Sequence, residues 1–391
     1  MAIPHEPVFD AAEYDRRLRA VRAGMAERNL DGLLVFSPHN VFYLCGMDSE
    51  NLFDFQCLIV PREGELVLVI LDFEEARAAN SVGAGRTVSY HAFDDPIQAV
   101  LDQVAALGLT GGRLGLESRA GITPANYRAF TDRLAATGTR TDDPFGIIEN
   151  ARLVKSAPEI ALMRRAAALT DQAVMAAYAA LRPGVRDAEI AAVITDTFYR
   201  NGSDTICWGP IVASGYLAGS AHSTFNGRTI EAGDAVFLEI TAEVRKYTAP
   251  LMRTALLGKP SAEQQRVAEA GAKAVETILA TARPGIAAAD VAHAAGAVLA
   301  PILDGIVFHH NFGYPVGIGY PGTWIESLGF FLRVDNPRPL APGMVFHLPM
   351  SLRKFGEWGI NQSHTMVITD TGAEALTRTP ARLNVLDAAA G

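Results

Sequence analysis

The chain has 391 residues, 49% hydrophobic and 20% charged, the balance of an ordinary globular protein long enough for two domains and a large core. Lys and Arg number 34 against 43 Asp and Glu, a net charge of -9 with no basic run, which excludes nucleic acid as a partner and leaves the dispersed acidity to serve solubility. Cys45, Cys57 and Cys207 fall in no metal-binding spacing and make no disulfide framework, MAIPHEPVFDAAEYDRR carries no apolar signal core, and no apolar run reaches membrane-spanning length, so the expectation is a cytoplasmic protein with no membrane partner.

Apolar residues at helical spacing predict a helix over 11–29, closed by Asp31-Gly32. Short segments of strand type follow at Leu33–Phe36, Val41–Cys45, Gln56–Val60 and Leu66–Leu71, the last two joined by the turn PREGE. Ile97–Leu107 reads as a helix, Arg113–Glu117 as a strand and Pro124–Ala136 as a helix, so residues 1–150 form a mixed α/β domain. Within it His39, Asn40, Tyr43 and Asn51–Gln56 (NLFDFQ) are polar and aromatic groups that a plain core does not need. They are either substrate-facing or a loop with an edge strand.

Arg152–Glu159, RLVKSAPE, is a helix start. Ser156 is a good N-cap, Pro158 sits in the first turn where its missing N–H costs nothing, and Glu159 completes a capping box. The amphipathic helix that follows ends at Arg182-Pro183-Gly184. From there an internal repeat is visible: RPGVRDAEIAAVITDTF begins at Arg182 and RPGIAAADVAHAAGAVL at Arg283, each preceded by a helix and followed by a glycine-led strand, GDAVFLE and GMVFHLP. Two such units suggest a pseudo-twofold domain with its site between the halves. The stretch Gly233–Thr254 reads as a β-hairpin, an apolar strand and a return strand joined by a charged turn near Glu243–Lys246.

That hairpin, the R-x-x-K-S-x-x-E segment and the repeat together resemble the pita-bread family of creatinase, prolidase, aminopeptidase P and methionine aminopeptidase. The resemblance covers essentially the whole chain. It implies an α/β (α+β) fold, with a creatinase-like N-terminal domain over 1–150 and a pita-bread catalytic domain over 151–391. It also implies a homodimer in which the N-terminal domain of one subunit reaches the other's site, so that NLFDFQ acts in trans.

Metallopeptidases of that family bind two metal ions through two Asp, one His and two Glu. The matching positions here hold Glu239, Pro250, Val316, Pro349 and Ser363, in GDAVFLE, PLMRT, FGYPVGIG, GMVFHLP and NQSHT. Four of these are not useful ligands, and one carboxylate does not hold a metal. A zinc site built from His309, His310, His347 and His364 is the remaining alternative. The expectation is an enzyme with no metal and no other cofactor.

Two members of the family work without metal, creatinase on a guanidino C–N bond and ectoine hydrolase on a cyclic amidine. SGYLAGSAH, Ser214–His222, resembles the creatinase segment whose histidine is general base and acid, which carries that role onto His222. GYPVGIGYPGTWIE and GMVFHL resemble ectoine hydrolase. The creatinase carboxylate before Arg-Thr is Met252 here, and the late glutamate of ectoine hydrolase is Gln362 or Ser363, so neither substrate carries over outright.

The residues fit such chemistry. Imidazole titrates near neutrality, which suits His222 to both base and acid roles, although a histidine in a Gly/Ser-rich loop also binds backbone. Glu239, at the end of an apolar strand, is costly to bury unpartnered. It faces a cleft as charge partner or nucleophile, or pairs with Arg253 across the hairpin. His309, His310 and His347 supply further hydrogen bonds or belong to the core. Trp208, Tyr320 and Trp324 form an aromatic wall or pack internally, and Glu326 is a candidate substrate contact. The reading is a metal-independent hydrolase of a non-peptide C–N bond in a small-molecule substrate, a nitrogenous solute that is either an ectoine-type cyclic amidine or a creatine-type guanidino compound. The alternatives are a non-catalytic binding protein, an Xaa-Pro-type peptidase or a betaine lyase of the same fold.

Overall fold

The computed structural model describes residues 7–387 apart from 51–53, 80, 82, 84 and 327–328. The chain divides into two compact units, Met1–Arg152 and Leu153–Gly391.

The first unit is a mixed sheet with strand order Arg86–Tyr90, Val67–Leu71, Cys57–Pro61, Gly32–Val35, Arg113–Leu116, Arg140–Asp142. Leu34, Ile59, Val69 and Leu116 on its face pack with Val100, Phe130 and Leu134 from the helices Pro96–Ala106 and Pro124–Ala136. Both helices open on a capped first turn, with Asp95 and Thr123 accepting backbone N–H groups and a proline beside each.

Val41–Cys45 is not a strand. Pro38–Cys45 is a helix, with Ser37 extended at its N-cap, Pro38 in the first turn and Gly46 at φ 79 closing it. A proline that fits only a helix start and a glycine that fits only a left-handed end outweigh the apolar run between them. The same helix takes Asn40 and Tyr43 inward. Asn40 donates to Glu117 and Glu149, and the Tyr43 hydroxyl donates to the Ala151 carbonyl at 3.1 Å. Of the segment NLFDFQ, Asn51, Leu52 and Phe53 lie outside the described residues, and Phe55 packs against Phe36 and Phe130.

The second unit is built twice. The helix pair Ala157–Ala180 and Asp187–Arg200 is repeated by Ala262–Thr281 and Ala288–Leu299. Each pair opens on a capping box, Ser156 with Glu159 and Ser261 with Gln264. The two RPG turns are anchored by the same bonds. Gly184 N–H reaches Ile230 O and Gly285 N–H reaches Leu340 O, while Asp187 N–H reaches Arg228 O and Ala288 N–H reaches Arg338 O. Each half closes its own core, one around Val174, Ile194, Phe198 and Leu238, the other around Val275, Val291, Leu299 and Phe346. The pseudo-twofold expected from the sequence is therefore present in the backbone bonding itself.

The central hairpin joins two sheets. Ala235–Ile240 and Leu251–Leu257 pair antiparallel between Ile211–Ser214 and Asn384–Leu386. Beyond Ile240 the hairpin bends, and its tip, Glu243–Val244 with Tyr247–Thr248, joins Tyr314–Tyr320 in the other sheet. The bend is held by side chains that occupy the freed backbone groups. Thr170 Oγ1 accepts from Ala242 N–H, and Thr241 Oγ1 accepts from Ala249 N–H, both at 2.9 Å. Val244 faces Tyr247 across a two-residue turn, Arg245-Lys246, with φ of 51 and 70. Those values are the type I′ geometry that a two-residue hairpin loop requires.

Candidate functional site

A cavity of about 470 Å³ opens in the second unit, large enough for a small solute. Its floor is the central hairpin, with Phe237 and Glu239 on one strand and Met252 on the other, Met252 directly opposite Glu239 in register. Trp208, Ile211 and His222 form one side. His309, Asn311, Tyr314 and Trp324 form the other, and Pro349, Ser351 and Arg353 close it.

Glu239 is 9% exposed, and among the described residues no hydrogen bond or ion pair reaches its carboxylate. Burial lifts its pKa to about 7, against the opposing pull of Arg353. Arg253 is not its partner. That guanidinium is fully buried one register step away and donates to the carbonyls of Met252, Ser363 and Thr379.

Arg353 is the cation of the cavity. Its Nε donates to Ser351 Oγ at 2.9 Å and its Nη1 to the carbonyls of Ala218 and Ser220 at 2.7 and 3.0 Å, while its guanidinium lies 5.0 Å from the centre of the Phe237 ring. These bonds fix the turn Gly215–Gly219, from which the chain runs on to His222. The turn sits against the hairpin Met350–Gln362 so closely that a Cβ at Gly359 would meet the Ala218 carbonyl oxygen at 2.0 Å, which only glycine permits. His222 leaves the turn with φ 58, a left-handed conformation uncommon outside glycine, and its side chain is exposed in the cavity wall. Backbone held in that region at a cavity rim is a frequent companion of function.

His309 also lines the cavity. Its Nδ1 accepts from Asn311 N–H at 3.1 Å, which leaves Nε2 as the protonated nitrogen of the neutral ring. Surrounding protein and the charge of Arg353 hold its pKa down to about 4. Trp208 and Trp324 meet with ring centres 5.9 Å apart, Trp208 exposed and Trp324 buried, as an aromatic corner for a flat or cationic group.

The other residues singled out in the sequence lie elsewhere. His347 is fully buried behind the wall, between Tyr314 and Ser363, and burial with the Arg253 charge holds its pKa to about 3. His310 is an exposed left-handed residue packed on Phe308 outside the cavity lining. Tyr320 is 1% exposed and lies under Lys246 Nζ at 4.8 Å. Glu326 is not among the residues that line the cavity. Its carboxylate is buried on Lys155 Nζ at 2.5 Å, and Ile318 N–H donates to its other oxygen at 3.3 Å. Lys155 is the lysine of the R-x-x-K segment, so the acid that reads as a free charge in the loop is half of an internal ion pair. Sequence reasoning missed Tyr314 and Arg353. For Arg353 the available signal was a charge in a strand, Met350–Lys354, whose preceding positions are Met, Ser and Leu.

The cavity does not offer a metal site. Glu239 is its one carboxylate among the lining residues, its neighbours there include Met252 and Pro349, which are no ligands, and among the described residues no group of three His, Cys, Asp or Glu side chains is arranged to hold an ion. His309, His310, His347 and His364 do not converge, since His347 bonds Tyr314 and Ser363 while His364 bonds Thr377 at 2.8 Å. Among the described residues no helix is long and apolar enough to cross a membrane.

Comparison with known proteins places this architecture. The Ectoine hydrolase of Halomonas elongata is 29% identical over 405 residues, covering 96% of this chain and 98% of that protein. An uncharacterised hydrolase/peptidase of Sinorhizobium fredii is 29% identical over 395 residues, covering 97% and 99%. The crystal structure of Dipeptidase PepE from Mycobacterium ulcerans superimposes with a TM-score of 0.83 at 27% identity, covering 96% of this chain and 99% of that one. The creatinase/prolidase N-terminal domain matches residues 17–154 and metallopeptidase family M24 matches residues 161–370. The chain thus belongs to metallopeptidase family M24, in its creatinase/prolidase form.

Proposed function

We propose that this protein hydrolyses a non-peptide C–N bond in a small nitrogenous solute, of the cyclic amidine type that ectoine represents, and does so without a bound metal. The observation that carries the reading is Glu239: a single acid, poised near neutrality at about 7, set into a cavity with no second carboxylate among its lining residues. Without a metal, the barrier must fall through fixed charges and donors in a dry pocket. That favours a substrate whose own positive charge makes the reacting carbon electrophilic.

In this reading the ionised Glu239 faces the amidinium and the aromatic corner of Trp208 and Trp324 packs its flat face. His222 takes a proton from water as the water oxygen bonds to the amidine carbon and the C=N electron pair moves to nitrogen. The imidazolium then returns that proton to the departing nitrogen as the C–N bond breaks and an electron pair re-forms the double bond at carbon. The hydroxyl proton passes to the released amine, leaving a neutral amide and an ammonium group that carries the charge of the amidinium. In a covalent variant Glu239 attacks the same carbon, the C–N bond breaks to leave the carbon esterified to Glu239, and water activated by His222 then cleaves that ester bond and restores the carboxylate. Mass spectrometry of acid-quenched protein distinguishes the two.

Similarity to a dipeptidase favours peptide hydrolysis as the second reading. The test that separates them uses chelator-treated protein with ectoine, creatine and Xaa-Pro dipeptides, each followed by product analysis. Turnover of ectoine that survives chelation, and falls at least about 100-fold in Glu239→Gln and in His222→Ala, supports the proposal. Activity confined to dipeptides and restored only by added divalent ions overturns it. Binding of ectoine without turnover identifies a non-catalytic descendant instead.

A further inference from the structure

Behind the cavity wall runs a chain of short hydrogen bonds whose proton order can be solved. Met252 N–H donates to Ser363 Oγ at 2.7 Å, Ser363 Oγ lies 2.7 Å from His347 Nε2, His347 Nδ1 lies 2.7 Å from the Tyr314 hydroxyl, and Trp324 Nε1–H donates to that hydroxyl at 3.0 Å. Ser363 and His347 are wholly buried, and Tyr314 lines the cavity. The backbone and indole donors are fixed in direction, so the remaining choice is which nitrogen of His347 carries the proton.

If Nε2 carries it, Ser363 Oγ accepts from both Met252 and His347, and its own proton finds no further acceptor among the described residues. A buried hydroxyl proton without an acceptor is costly. If Nδ1 carries it, every group is satisfied: Ser363 donates to Nε2, His347 donates from Nδ1 to Tyr314, and Trp324 donates to Tyr314 as well. The tyrosine oxygen then has both acceptor sites filled, and its own proton has nowhere to point but the cavity. Burial keeps the imidazole neutral, as this order needs, and keeps the phenol protonated well beyond its ordinary range.

We infer that Tyr314 is a catalytic residue that presents its O–H to the substrate as a fixed hydrogen-bond donor, with His347 and Ser363 as the positioning residues that forbid it to turn away. The inference deepens the reading of the cavity as a C–N hydrolase site and rests on that reading for the identity of the acceptor, the substrate atom that gains electron density as water adds. No proton needs to be transferred from Tyr314. It supplies a fixed donor at the point where charge develops, the kind of stabilisation that a bound metal ion gives as a Lewis acid.

Two measurements on the intact protein test it. Nitrogen-15 NMR of histidine-labelled protein reports the tautomer of His347, recognised as the buried imidazole whose signals move in Tyr314→Phe. A proton on Nδ1 is expected, and a proton on Nε2 overturns the inference whatever the substrate proves to be. With ectoine as the probe, Tyr314→Phe is expected to lower kcat by about 100-fold or more with KM changed far less. Ser363→Ala removes the donor that holds Nε2 as an acceptor, so His347 and the Tyr314 hydroxyl are no longer fixed, and kcat is expected to fall in parallel. Equal rates in Tyr314→Phe and the parent enzyme overturn the catalytic role. If the parent does not turn over ectoine, the hydrolase reading fails while the tautomer still decides the orientation of Tyr314.

Discussion

Glu239 and Arg353 line the same cavity without an ion pair between them, yet each moves the other's proton affinity in the direction of charge. The guanidinium is held back by the Ala218 and Ser220 carbonyls and by Ser351. It therefore tempers the burial of Glu239 without neutralising it. Replacing Arg353 with Met should raise the pKa of Glu239 above its present value of about 7. If ionised Glu239 is the active form, the acid limb of the pH–rate profile moves to higher pH in that variant. An unchanged limb would show that some other group sets it.

Stability carries the same signature with a sign that can be worked out. The pKa of Glu239 rises from an ordinary 4.5 to about 7 on folding, so the native state holds the proton more tightly than the unfolded chain. Its contribution is fully present below pH 4.5 and is lost as pH rises through about 7, at up to about 1.4 kcal/mol per pH unit between them. Glu239→Gln removes that slope and should be the more stable protein at pH 8. Denaturant titrations of both proteins from pH 5 to 8 check this, and parallel curves would mean the carboxylate is solvated.

The buried histidines act in the opposite sense. His347 and His364 fall from 6.5 to about 3 because burial, reinforced by the Arg253 charge, disfavours the imidazolium. The stability this represents is present above pH 6.5 and is lost as pH falls toward 3, since the unfolded chain takes up protons that the native state refuses. Acid unfolding should be cooperative and should soften in His364→Gln. Fluorescence-monitored acid titration gives the midpoint, and an unshifted midpoint would assign the acid limb to other groups.

Lys155 and Glu326 are a buried pair, 0% and 2% exposed at their side chains, with the Glu326 carboxylate filling the space that a Cβ at Gly317 would take at 2.6 Å. Removing one partner strands a charge, so Lys155→Met should cost about 3–5 kcal/mol. The double variant Lys155→Met with Glu326→Gln should recover much of that loss. Turnover per folded molecule should survive in the double variant, because neither residue lines the cavity. A large drop in kcat there would return Glu326 to the site.

Much of the scaffold was legible because its signals are local. The helix Pro124–Ala136, the capping box at Ser156, the charged hairpin tip and the RPG repeat each follow from residues within a few positions of one another. Pro38–Cys45 misled because its middle is apolar and its punctuation, Pro38 and Gly46, lies at the edges. The site was harder to read. Alternation along a strand says that His347, Tyr314 and Arg353 point inward, but inward is either core or cavity, and only the convergence of distant segments decides which. Tyr314 and His347 are neighbours in register and lie on opposite sides of that divide. Glu326 shows the same limit for charge, since its partner is remote in sequence.

The rung that pairs Glu239 with Met252 does more than set register. The outer N–H of Met252 is the first donor of the chain that ends at Tyr314. The acid and the hydroxyl are thus hung from one crossbar of a buried ladder, and thermal motion that shifts one carries the other with it. The gap between them behaves as a gauge of fixed span. A ligand is then selected by the separation of its charged and polar ends more than by its bulk, and homologous solutes one methylene longer or shorter should be discriminated through turnover before they are discriminated through binding.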